Sequence, residues 1–122
     1  MTTLLAVMAG GAVGSGLRWG IGVALPPAGS GLPVGTLTAN LVGCLAIGVL
    51  STLFSGSFQV SDPVRIGVLV GVLGGFTTFS SFGNETLVLL DAGRYGIAGV
   101  YVLLSNVGGL FLAWAGTRIA QG

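Results

Sequence analysis

The sequence predicts an all-α membrane protein with four transmembrane helices, the third broken near mid-membrane. Three observations carry this expectation. First, 52% of the 122 residues are hydrophobic and 6% are charged, whereas soluble domains are about a quarter charged. Second, the mean hydropathy is +1.00, and a surface of that composition would present apolar patches that soluble monomers avoid. Third, the few charges stand far apart. No charged residue lies between Arg18 and Asp62, between Arg65 and Glu85, or between Arg94 and Arg118. Such gaps suit spans of about 20 apolar residues crossing about 30 Å of hydrocarbon.

The chain reads as one domain with spans at about 4–25, 34–55, 63–90 and 95–118. The first apolar run follows Met1-Thr2-Thr3-Leu4 without the basic region of a signal peptide, so a retained span is expected. Pro26, Pro27, Gly29, Ser30, Gly31 and Pro33 then form a breaker-rich loop. Asp62 as N-cap with Pro63 in the first turn opens the third span, and Asp91-Ala92-Gly93-Arg94 makes a tight connection to the fourth. Barrel strands would alternate polar and apolar residues over about 10 positions; these runs are continuously apolar and twice as long, which favours helices. Gly occurs 24 times, with Gly10/Gly14, Gly16/Gly20 and Gly67/Gly71 each four apart. That spacing lets helix backbones approach closely in lipid.

Several function classes are excluded. A net charge of +1 is too small for a nucleic-acid footprint. With one Cys (Cys44) and no His, neither an intrachain disulfide nor a Cys/His metal cluster can form. No nucleophile–base pair exists, so an enzyme is not expected.

Four spans put both termini and the loop between spans two and three on one side. Arg65 and Arg118 lie there, against Arg94 on the other side, joined by Arg18 if it snorkels outward. Orientation is set by such a bias, and here it is nearly absent. Insertion in both orientations is expected, with a small bias sufficient for one orientation as the alternative. Two copies in opposite orientations would then enclose the polar side chains that lipid penalises, as inverted repeats do within one chain.

Those polar side chains fall in three places. In the third span, Gly74-Gly75 is followed by Thr77-Thr78, and each Gly costs about 1 kcal/mol of helix propensity. An unwound segment is expected there, with carbonyls able to ligate a hard cation; a simple kink is the other reading. Phe79 and Phe82 share a helix face that Glu85 continues, interleaved with Ser80 and Ser81. Ring edges favour an anion and ring faces a cation, while packing against core or lipid is the plain alternative. In the second span Thr36, Asn40 and Gly43 form one stripe, where Asn40 is either an interhelical clamp or a donor to a ligand. In the fourth, Tyr101 and Ser105 are four apart, with Asn106 adjacent; ordinary interhelical bonding competes with a ligand track. Arg18 is either an interfacial anchor or a charge that concentrates anions at a pore mouth. Neutral donors without mid-span Lys or Arg suit anion conduction, because an ion must also be able to leave.

Over nearly its whole length the chain resembles the Fluc/CrcB family of bacterial fluoride channels. The matching pieces are Gly11–Trp19, Gly35–Gly43 and, most specifically, Gly74-Gly75-Phe76-Thr77-Thr78-Phe79-Ser80-Ser81-Phe82. The resemblance implies a multi-pass protein of the bacterial inner membrane, assembled as an antiparallel, dual-topology homodimer with two fluoride pores. It implies a structural Na⁺ at the dimer centre, held by the backbone carbonyls of Gly74 and Thr77. It places Asn40, Phe79, Phe82, Ser80, Ser81, Tyr101 and Ser105 along the pore, and Arg18 and Glu85 at its entrance. Fluoride that arrives as HF and ionises inside would leave passively through such a pore. Two departures stand out: Ser81 where Thr is common, and Gly109 where some members carry Ser. A small dual-topology multidrug or cation transporter is the runner-up, but such proteins place a carboxylate mid-span, and span one has none.

Overall fold

The computed structural model describes residues 1–122 and is entirely helical, with no strands. Four helices are long and apolar enough to cross a membrane: Thr2–Ala24, Val34–Ser55, Asp62–Asp91 and Tyr95–Gln121, here called spans one to four. Pro26, Pro27 and Pro33 keep the first connection non-helical, and Gly31 turns it with φ +91°. Gly93, at φ +73°, turns the connection between spans three and four. Both angles lie in the left-handed region that glycine enters without steric cost.

Span one packs along the first half of span three and also touches span two; span two packs along the last part of span four; and the second half of span three packs on the start of span four. Glycine makes the closest of these contacts possible. A Cβ at Gly10 would lie 2.9 Å from the Val72 nitrogen, and one at Gly71 would lie 2.8 Å from the Val7 carbonyl oxygen. Gly10 thus faces Gly67 and Gly71, while Gly14 faces Val72 and Phe76 one turn further along span three. Gly16 and Gly20 have nothing within 4 Å of a built Cβ, so that pair makes no contact within the chain. A further small-residue contact joins Gly48 and Gly116, where a Cβ at Gly116 would lie 2.9 Å from the Val49 nitrogen.

Two spans contain wide turns that periodicity does not signal. Gly67–Val72 and Leu104–Gly108 are π-helical, a form that occurs mostly as short bulges and often at functional positions. Span three is interrupted as expected, but only over the second part of the expected stretch. Gly74 and Gly75 remain helical within Leu73–Phe76, and the extended residues are Thr77 (φ −87°, ψ 158°) and Thr78 (φ −151°, ψ 121°). Helix resumes over Phe79–Asp91. The reason is packing: a Cβ at Gly75 would lie 2.6 Å from the Gly11 carbonyl oxygen, so Gly75 serves the contact with span one.

Only 18 of 122 residues are buried within one chain, and none of them is polar or charged. Large apolar side chains such as Trp19, Leu110 and Val107 are exposed instead, which fits lipid as the surrounding solvent.

Candidate functional site

The site is built around the interruption in span three. An extended pair of residues in mid-span leaves backbone groups without helical partners, and in lipid each such group is costly. The stripe on span two meets this demand residue by residue. Asn40 Nδ2 donates to the Thr78 carbonyl at 2.9 Å, and Asn40 Oδ1 accepts from the Thr78 N–H at 2.7 Å. Three positions on, Gly43 leaves room for the Thr77 methyl, with the Thr77 Cβ 3.7 Å from where a Gly43 Cβ would stand. Four positions back, Thr36 Oγ1 donates to Glu85 Oε1 at 2.7 Å. One face of span two therefore docks the break and the helix that follows it.

The resumed helix is capped by Thr78, whose Oγ1 accepts from the Ser81 N–H at 3.1 Å and lies 3.2 Å from Ser81 Oγ and 3.3 Å from Ser80 Oγ. Thr78 is thus an N-cap. Its role was missed in the sequence, although a Thr directly before a renewed helix is the usual signal. Ser80 and Ser81 belong to this hydroxyl cluster and do not line the neighbouring cavity.

Among the carbonyls this break leaves free are those of Gly74 and Thr77. In a continuous helix Gly74 would accept from the Thr78 N–H and Thr77 from the Ser81 N–H. The first donor goes to Asn40 and the second to the Thr78 hydroxyl. Gly74 and Thr77 accordingly carry oxygen ligands of the kind a hard cation takes, whereas no group of His, Cys, Asp or Glu could hold a metal. Between them, the Gly75 carbonyl accepts from Arg18 Nε at 3.1 Å. Arg18 therefore reaches inward to the break and does not snorkel outward. Its charge lies at the C-terminal end of the helical half that closes at Phe76, where the helix dipole favours a cation.

A cavity of about 360 Å³ opens beside the break, and Asn40, Gly74, Thr77, Phe79, Phe82 and Ser105 all line it. The rings of Phe79 and Phe82 are 5.6 Å apart between centroids. Phe82 is 9% exposed, while Phe79 is 81% exposed in the single chain. Ser105 stands on the π-helical turn of span four, and its Oγ is the one buried side-chain oxygen or nitrogen with no hydrogen-bond partner. The adjacent Asn106 donates to the Val102 carbonyl of its own helix at 2.8 Å.

Glu85 and Tyr101 stand one step from this cavity. The Tyr101 hydroxyl donates to Glu85 Oε2 at 2.9 Å, so Thr36 and Tyr101 hold the two carboxylate oxygens between them. Tyr101 is fully buried, and its ring meets that of Phe82 edge-on, with centroids 5.1 Å apart and planes at 64°. Thr36 and Glu85 line a second cavity of about 360 Å³ beneath the first connecting loop. The bonded trio Thr36–Glu85–Tyr101 thus joins the lining of the second cavity to Phe82 in the first. The direct link from Thr36 to Glu85 is not apparent in the sequence.

The sequence-predicted residues therefore converge in part. Asn40, Gly74, Thr77, Phe79, Phe82 and Ser105 share one cavity, with Tyr101 and Glu85 on its continuation; Ser80, Ser81 and Arg18 serve the break from outside it.

The family model described as CrcB-like protein, Camphor Resistance (CrcB), matches residues 5–117. A protein of Chloroflexus aurantiacus called fluoride-specific ion channel FluC is 44% identical over 122 residues, covering 99% of this chain and 97% of its own. Proteins with the same description from Methylobacillus flagellatus and Sphingopyxis alaskensis are 42% and 47% identical, covering 99% and 95% of this chain and 96% and 93% of their own. With the match running through all four spans and the break in the third, the chain belongs to the CrcB-like family.

Proposed function

We propose that this protein is a fluoride channel of a bacterial plasma membrane that lets the ion leave the cell passively. The observation that carries the reading is the unpartnered Ser105 hydroxyl, buried in a cavity that Phe79, Phe82 and Asn40 also line. A buried donor without a partner is rare and costs about 1–3 kcal/mol. A small anion would relieve that cost, and Asn40, with one amide hydrogen still uncommitted, offers a second donor. Phenyl rings add weakly positive edges that do not hold an anion too tightly to leave. The names of the relatives support fluoride as the ion.

The working unit in this reading is an antiparallel homodimer. Arg65 and Arg118 face one side and Arg94 the other, while Arg18 is held at the break; two charges against one set little orientation bias. Gly74 has open space where a Cβ would stand, and Phe79 is largely uncovered. A second copy laid over this face would pair two breaks, and the Gly74 and Thr77 carbonyls of both chains would offer four oxygens to one Na⁺. That ion would neutralise the converging carbonyl dipoles and hold the two chains together.

Purified protein in liposomes tests the reading. Fluoride efflux that starts only when a potassium ionophore supplies the counter-current, with no proton movement coupled to it, is expected. Drug–proton exchange without fluoride current would instead identify a transporter.

A further inference from the structure

The four guanidinium groups have different fates. Arg18 bonds to Gly75, Arg65 pairs with Asp62 at 2.8 Å, and Arg118 lies over the Trp114 ring at 5.5 Å. Arg94 alone stands over a cavity. Its Nη1 donates to the Ser30 carbonyl, and a Cβ at Gly31 would lie 2.6 Å from the same nitrogen. Gly31, with Leu89, Thr36 and Glu85, lines the second cavity, so the guanidinium sits at that cavity's rim. It has no carboxylate within 4.0 Å, Asp91 on the same turn included, since the chain's one ion pair is Arg65–Asp62.

The cavity poses an electrostatic problem. Its inner end carries the Glu85 carboxylate, and beyond it the Thr36–Glu85–Tyr101 trio leads to Phe82 and the first cavity. An anion approaching from this side has the Glu85 carboxylate between it and the donors of the first cavity. A cation at the rim offsets that barrier. The start of span two adds to the effect, because Gly35 and Thr36 also line the cavity on a helix end with no side-chain cap and no acid in its first turn.

We propose that Arg94 is the electrostatic entrance residue of the anion path on the side of the first connecting loop, raising the local concentration of small monovalent anions over the second cavity. The proposal rests on the fluoride-channel reading. A unit charge 6–8 Å from an ion in water contributes enough to change local concentration by about two- to threefold, and reversing its sign squares the effect. The latch to Ser30 is secondary: it holds the side chain over the cavity, and a lysine would keep the charge without the latch.

Initial fluoride efflux from liposomes would be compared for wild type, R94K, R94Q and R94E in an impermeant salt at about 0.01 M and about 1 M, where the screening length falls from about 30 Å to about 3 Å. At low salt R94Q should be about two- to threefold slower and R94E about four- to ninefold slower, with R94K near wild type. At high salt all four rates should converge. An R94E rate equal to wild type at low salt overturns the proposal and leaves the channel reading intact. R94K as slow as R94Q, or deficits that persist at high salt, also overturns it, since a structural latch would behave that way. Absence of fluoride efflux in wild type overturns both readings.

Discussion

Replacing Asn40 with Asp changes one atom of the side chain and sets two roles of Asn40 against each other. The carboxylate can still accept from the Thr78 N–H, as Asn40 Oδ1 does at 2.7 Å. It cannot donate to the Thr78 carbonyl, which now receives Nδ2 at 2.9 Å. One carbonyl is stranded, at a cost of about 1–3 kcal/mol, and faces an anionic oxygen. The second effect is on the conducted ion. A sphere of the first cavity's volume, about 360 Å³, has a radius of about 4.4 Å, so an anion inside it lies about 5 Å from the new charge. At an effective dielectric constant of about 20, that repulsion is about 3 kcal/mol, a loss of anion occupancy of about a hundredfold or more. N40A removes both bonds to Thr78 and adds no charge. It should therefore lose stability to a similar or greater degree while retaining more flux than N40D. Liposome fluoride efflux gives the rates, and the fluorescence of Trp19 and Trp114 during detergent-induced unfolding gives the stabilities. Wild-type flux in N40D would remove Asn40 from the anion path, and wild-type stability in N40A would refute its role in holding the break.

Three further outcomes are expected. S105A should slow fluoride efflux by about tenfold, one hydrogen bond of roughly 1.4 kcal/mol, while leaving unfolding unchanged or shifted toward greater stability because a buried unpartnered group is removed; a matched loss of stability would assign Ser105 to packing. F79I and F82I should each impair efflux, but only F82I should also weaken the fold, since Phe82 packs edge-on against buried Tyr101 whereas Phe79 is largely exposed in the chain; unchanged efflux in both would defeat the role of the rings. G75A should destabilise the protein by about 1–3 kcal/mol, because the new methyl would meet the Gly11 carbonyl oxygen at 2.6 Å, and an unfolding curve identical to wild type would refute the close packing of spans one and three.

The spans were legible because charge is nearly absent and its gaps match membrane thickness; nothing about tertiary contact was needed to see them. The break was legible as an event within residues 74–78; which of those residues leave the helix was not. Helix propensity points to Gly74-Gly75, the weakest helix formers in the stretch. Propensity does not register that Gly75 fills a place against Gly11 where no other residue fits, nor that Thr78 finds both backbone partners on Asn40, 38 positions earlier. The same limit hides the π-helical turns, which have no period of their own in the sequence and yet set where Ser105 stands. It also hides the Thr36–Glu85 bond, since each member looks ordinary alone.

What the stripe on span two does with these partners bears on why the break stays open. Thr36 and Asn40 spend their hydrogen bonds on Glu85 and Thr78, and Gly43 gives space to Thr77, so span two satisfies the resumed helix but takes nothing from the Gly74 and Thr77 carbonyls. Closing the helix would let the N–H groups of Thr78, Phe79, Ser80 and Ser81 bond back to Gly74, Gly75, Phe76 and Thr77, but would give up both Asn40 bonds, the Arg18 bond and the Thr78 cap, four for four. With hydrogen bonding nearly balanced, the choice falls to whatever else meets the free oxygens. Arg18 meets only Gly75 between them. A cation shared with a second chain would tip the balance toward the open form, and the same arrangement that binds it presents Phe79 and Ser105 to one cavity. In the proposed assembly, holding the break open and shaping the anion path are therefore one structural event, which is why a substitution at Asn40 is expected to affect both.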